Sequence, residues 1–66
     1  MVNYIVLHSV NGMVISRWDF GEDLDQAINF ISDTMDEVLQ VGKHRFIVFN
    51  ERTHVLTYKQ EFEIVE

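Results

Sequence analysis

The chain has no cysteine, no proline and only three glycines in 66 residues. The absence of cysteine excludes disulfides and thiolate metal sites. The absence of proline leaves no fixed chain break. No run approaches 18 apolar residues, so no transmembrane helix is expected. Met1 to His8 lacks the basic start and small-residue cleavage site of a signal peptide, and Val2 and Glu66 give no lipidation motif. These absences lead to the expectation of a cytoplasmic chain. Positive charge is the scarcest commodity. Five Lys+Arg stand against 11 Asp+Glu, a formal charge of −6. Direct nucleic-acid binding or attachment to an anionic membrane is not expected from that balance.

What is present is a globular composition, 47% hydrophobic and 24% charged. The length fits one domain, residues 1–66. A chain this small buries only about 60% of the surface it exposes when unfolded. Burial then barely exceeds chain entropy, and such scaffolds usually lean on a disulfide, a metal or a partner chain. With cysteine absent, a homodimer is the expected support.

Val2 to Val10 is rich in β-branched and aromatic residues, then comes Asn11-Gly12, then Met13 to Trp18. Asn-Gly between two such runs signals a hairpin, because a type I′ turn needs positive φ at both central residues. A two-residue loop pairs Val10 with Met13, His8 with Ile15 and Val6 with Arg17. It sets Ile5, Leu7, Val14 and Trp18 on one face, the expected core. Tyr4, Val6, His8, Ile15 and Arg17 fall on the other.

Glu22 to Val41 reads as a helix. Leu24, Ala27, Ile28, Ile31, Met35, Val38 and Leu39 recur at three- and four-residue spacing. Asp23 is the expected N-cap, with Gln26 three residues on, and Gly42 the expected left-handed stop. His44 to Phe49 reads as an apolar strand, Asn50 to Thr53 as a polar turn, and His54 onward as a returning strand that is long or bends near Lys59-Gln60. The predicted fold is α+β: order ββαββ, a four-stranded antiparallel sheet of two hairpins with one helix packed on one face.

One helix covers one sheet face, yet both faces carry apolar groups. Tyr4, Val6 and Ile15 lack an obvious partner in the chain and are the expected dimer interface. One of the pairs Phe46/Val48 and Ile47/Phe49 must also face away from the helix.

The charge map is the sharpest functional feature. From Trp18 to Gly42 there is no Lys or Arg, while seven acids occur: Asp19, Glu22, Asp23, Asp25, Asp33, Asp36 and Glu37. At 100° per residue, Glu22, Asp25, Asp33, Asp36 and Glu37 point away from the apolar stripe. A solvated helix normally mixes signs and uses Glu–Lys pairs four apart. This one has none, and Asp36 and Glu37 sit near the negative end of the helix dipole. These five acids are the candidate contact surface for a basic or nucleic-acid-handling protein. The plain alternative is a solubilising face.

Three histidines, His8, His44 and His54, form no metal-ligand spacing. Around a Glu51-Arg52 turn, His44 would sit opposite Lys59 and His54 opposite Phe49, on different faces. Their one credible use is pH sensitivity at an interface. No nucleophile motif, phosphate loop or room for a cleft suggests an enzyme, and no cofactor is implied. The sheet aromatics Tyr4, Trp18, Phe46, Phe49, Tyr58 and Phe62 could stack single-stranded bases, but too few cations surround them. In size, acidity and lack of motif the chain resembles small accessory proteins of phages and other mobile elements. Some of those inhibit nucleases, restriction systems or CRISPR effectors by standing in for DNA. The resulting expectation is a small acidic, non-enzymatic binding protein of DNA-mimic type. Its alternative is an assembly module that associates through a sheet face or strand edge.

Overall fold

The computed structural model describes residues 1–66. The elements are β1 (Tyr4–Val10), β2 (Met13–Gly21), α1 (Leu24–Met35), β3 (Gly42–Asn50) and β4 (Val55–Ile64). One antiparallel sheet runs in the order β2-β1-β3-β4, so the chain is an α+β ββαββ domain as its sequence pattern implies. The two hairpins meet through β1 and β3, the central strands. The connection through α1 lays the helix across one sheet face.

The first turn follows from its residues. Asn11 and Gly12 both have positive φ, 52° and 87°, as a type I′ turn requires. The strand register does not follow the simple pattern. Val10 pairs with Met13 and Ser9 with Val14, but His8 pairs with Ser16, which leaves Ile15 as an extra residue. This β-bulge moves Ser16 to Asp19 to the other side, and a second irregularity at Phe20, between the Ile5–Asp19 and Tyr4–Gly21 pairs, shifts the register again. Trp18 now lies opposite Val6, and Arg17 opposite Leu7.

The helix covers the face opposite to the one expected. Val6, Phe46 and Val48 are fully buried with Ala27 and Ile31 of α1. Tyr4, Trp18, Phe20, Tyr58 and Phe62 pack around them. The set Ile5, Leu7, Val14 and Trp18 is therefore not a core face, because the bulge separates Trp18 from the others. Of the two β3 pairs, Phe46/Val48 takes the helix side and Ile47/Phe49 the open side.

The helix is shorter than its apolar periodicity. Asp23 caps it, accepting from the Gln26 backbone N–H at 2.9 Å. It ends at Met35 rather than Val41. The Glu37 and Val38 N–H groups bond back to Thr34 and Met35 in tight three-residue steps, 3.0 and 3.4 Å. The last turn holds no cation, and Asp36 with Glu37 would extend the negative end of the dipole. Val38 still reaches the core, but Leu39 is 85% exposed.

Gly42 opens β3 instead of capping α1. Its φ is +142°, and a Cβ there would lie 3.1 Å from both the Asn11 amide and Val10. The Asn11 side chain docks in that gap and accepts from the Lys43 N–H at 2.9 Å. The second turn runs Glu51–His54, one residue later than the expected Asn50–Thr53 and two residues longer than a Glu51-Arg52 loop, with His54 at φ 59°. Asn50 therefore pairs with Val55, and His44 faces Phe62 rather than Lys59. β4 is continuous through Lys59-Gln60, with one register shift opposite Val48/Phe49. No helix is long and apolar enough to cross a membrane.

Candidate protein-binding surfaces

Strand alternation sorts the charges. On β1 to β4 the helix-facing positions, among them Val6, His8, Ser16, Trp18, His44, Phe46, Gln60 and Phe62, include no Asp, Glu, Lys or Arg. Arg17, Asp19, Lys43, Arg45, Lys59, Glu61 and Glu63 all belong to the open face. There they pair. Arg17 meets Glu51 at 2.9 Å, and Glu61 lies 3.4 Å from Arg45 and 3.3 Å from Lys59. Outside residues 22–37, five acids balance all five cations. The net −6 thus equals the six acids of that one segment: Glu22, Asp23, Asp25, Asp33, Asp36 and Glu37.

Glu22 stands in the turn before α1, Asp25 in its first turn, Asp33 in its last, Asp36 at the C-cap and Glu37 just beyond. All five are exposed, and none forms a salt bridge. Asp23 has the capping task. Asp25 benefits from the positive end of the dipole, whereas Asp36 and Glu37 oppose the negative end. Because α1 stops at Met35, the acidic surface continues from the helix onto its exit segment.

The residues expected at a dimer interface separate. Val6 is fully buried beneath α1, and Tyr4 packs against the same cluster. Both are occupied within the chain, because the helix chose their face. Ile15, the bulge residue, is 51% exposed on edge strand β2. The face left open instead carries half-buried Leu7, Ile47 and Phe49, with exposed Leu56 beside Phe49. Sequence alternation could have found these residues once β3 was assigned its correct inward pair.

One end of the open face is roofed. Asn3 donates to Asp19 at 3.2 Å and to Glu51 at 3.3 Å, and Arg17 reaches the same Glu51. These links run from β2 to the end of β3 across β1, and Ile5 beneath them is fully buried. The Gly21 N–H and the Asn3 amide hold the Asp19 carboxyl below its usual range. Lys59, then Arg45, do the same for Glu61.

Two of the three histidines are brought together. His8 and His44 are buried on the helix side, with His8 Nε2 2.9 Å from His44 Nδ1. Their proximity follows from the β1–β3 pairing, which sequence spacing does not show. Burial, and then the neighbouring His44, lowers the His8 pKa. His54 lies apart in the second turn. Comparisons with known proteins return no match among family models, curated proteins or solved structures.

Proposed function

We propose that this protein is a non-enzymatic, cytoplasmic binding module that presents its acidic helix and exit segment to a basic protein surface. A nucleic-acid-binding groove is the partner surface with matching chemistry, which makes the reading DNA-mimic-like. The observation that carries it is the confinement of the whole net charge to residues 22–37, unpaired and exposed. Structural need does not explain it. Only Asp23 caps, and Asp36 and Glu37 work against the dipole. Such a surface steers cationic partners and disfavours acidic ones.

The test is a paired pull-down from nuclease-treated host lysate. One bait is the wild type; the other carries Asp33→Asn, Asp36→Asn and Glu37→Gln, with folding checked by circular dichroism. A basic or nucleic-acid-handling protein held by the wild type alone, and released by salt, supports the proposal. The same partner on both baits refutes it.

A second reading rests on the open sheet face. Leu7, Ile47, Phe49 and Leu56 form an apolar strip whose surrounding charges cancel, so a second copy meets no net repulsion there. A homodimer through that face would leave both acidic helices outward. Sedimentation equilibrium of wild type and Phe49→Asp tests it. A wild-type dimer that becomes a monomer in the variant, with little salt dependence, is the expected result. A wild-type monomer at all accessible concentrations would end this reading.

A further inference from the structure

The His8–His44 pair has a defined proton arrangement. His44 Nε2 lies 2.7 Å from the Gln40 carbonyl oxygen. A carbonyl only accepts, so this nitrogen carries the hydrogen. In a neutral ring, His44 Nδ1 is then the acceptor, and His8 Nε2 donates to it across 2.9 Å. The chain of bonds runs from β1 through β3 to the segment leaving α1. Each ring is also stacked, His8 on Phe46 with centroids 4.1 Å apart and His44 on Phe62 at 5.1 Å.

The surroundings favour a neutral His8 ring. Across the sheet, His8 faces Ser16 on β2 and Phe46 on β3, while His44 faces Val10 on β1 and Phe62 on β4. Among the strand residues of this face the only other titratable groups are Tyr4 and Tyr58. Charged neighbours in sequence, Lys43, Arg45, Glu61 and Glu63, project to the open face. From α1 and its exit, Asp33, Asp36 and Glu37 are exposed. No carboxylate is in contact to compensate an imidazolium. One added proton can reside on His8 Nδ1 and keep the bond to His44. A second, on His44 Nδ1, removes the only acceptor. Two N–H groups and two like charges would then confront each other across the same gap.

We propose that the His8–His44 pair is a proton-operated latch on the α1–β3 connection, residues 36–41. It is closed while a single hydrogen lies between the facing nitrogens, and it opens when acidification puts one on each. Gln40 is the strike plate. Its carbonyl bond to His44 ties a segment without regular structure to the sheet. Opening would displace Asp36 and Glu37, the end of the acidic surface. That consequence rests on the proposed function, whereas the latch does not.

Imidazole nitrogen NMR and amide hydrogen exchange, taken from about pH 7 to about pH 5, test it across the range where histidine changes charge. Both rings should show Nε2–H at neutral pH. Each unit of pKa by which closure resists protonation is worth about tenfold in the opening equilibrium. The Glu37 and Val38 amides, bonded to the Thr34 and Met35 carbonyls, should therefore lose about tenfold or more of protection after correction for intrinsic rates, while β1 and β3 stay protected. His8→Gln can donate its amide N–H to a neutral His44 and turn its Oε1 to accept from a protonated one, so it keeps the bond in either state and should abolish the pH response. Flat exchange of the connection overturns the latch, and so does its loss together with the central strands. A response that persists in His8→Gln also overturns it. If that variant fails to fold, the wild-type profile alone decides. Binding by the acidic surface is not measured in this experiment, so failure here leaves the proposed function standing.

Discussion

Replacing Ile31 by alanine should cost about a third or more of the protein's stability, while replacing Leu39 by alanine should cost almost nothing. Both belong to the same apolar stripe in the sequence. Ile31 is fully buried between α1 and the sheet, whereas Leu39 lies past the helix end and is 85% exposed. Ile31→Ala removes three carbons at about 0.8 kcal/mol each, about 2.4 kcal/mol, before any cavity term. With a cavity the loss becomes about 3–4 kcal/mol, inside the range for such truncations. A chain of this length has roughly 3–10 kcal/mol in total, at about 0.05–0.15 per residue. The variant should therefore lose about 12–24 °C in Tm at about 3 kcal/mol, and it sits near the edge of folding. Leu39→Ala should stay within about 0.5 kcal/mol. Urea unfolding followed by circular dichroism and Trp18 fluorescence measures both. Trp18 packs edge-on against Phe30 of α1, 4.7 Å between centroids, so its emission reports helix docking. If Ile31→Ala is unfolded outright, Ile31→Val gives a scale, with an expected loss of about 1 kcal/mol. Equal losses for Ile31→Ala and Leu39→Ala would refute the reasoning, because they would put the helix end and its stripe where periodicity alone places them.

Gly42→Ala should destabilise by more than 1 kcal/mol, on the order of a strained backbone position, and detach the Asn11 side chain from the Lys43 N–H. Gly12→Ala, with open space at its Cβ position, should bring backbone strain without a collision, so thermal melts should rank Gly42→Ala as the more harmful. Stability should also rise with pH in two separate windows. Asp19 and Glu61 have lowered values in the folded chain, so their contribution is present above the normal carboxylate range and lost as pH falls through those lowered values. His8 is also lowered, so its neutral folded form is favoured. Its contribution is full above the ordinary histidine value of 6.5 and declines as pH falls toward the lowered value. Urea midpoints measured against pH should therefore increase through both windows, and a midpoint that falls on going from acid to neutral pH would contradict these assignments.

The element order, the first turn and the N-cap were legible because each depends on local chemistry: alternation, Asn-Gly, and an Asp one residue ahead of the apolar stripe. The inward face of the first hairpin was not. It hangs on Ile15, one inserted residue whose β-branched side chain looks like any strand position. A bulge is chosen by the fit of Trp18 and Phe20 against Phe30, which are far apart in sequence. The periodicity runs past the helix end because Val38 and Leu39 keep the apolar rhythm, while the backbone leaves the helix at Met35, with the Glu37 and Val38 N–H groups bonded back over three residues. Gly42 was recognised as special for the wrong neighbour, since its partner is Asn11 in the other hairpin. The acidic surface was visible as a list of residues. That the rest of the molecule is neutral is a count the sequence itself holds, five acids against five cations; the ion pairs Arg17–Glu51, Arg45–Glu61 and Lys59–Glu61 needed the fold. The histidine pair was invisible because β1–β3 registration is a long-range choice.

The separation of charge from apolar surface has a consequence for how the molecule is felt at a distance. The protein measures 42 × 21 × 15 Å. At physiological ionic strength electrostatic fields decay over about 8 Å. The thinnest dimension already exceeds that length, so an approaching body near the open sheet is largely screened from the helix acids on the far side. The protein behaves as a two-sided particle. A cation arriving from solution would be steered toward the helix side, whereas an apolar neighbour at the reverse side would meet charges that balance locally. Under the two associations proposed above, added salt should therefore weaken the one and leave the other nearly untouched.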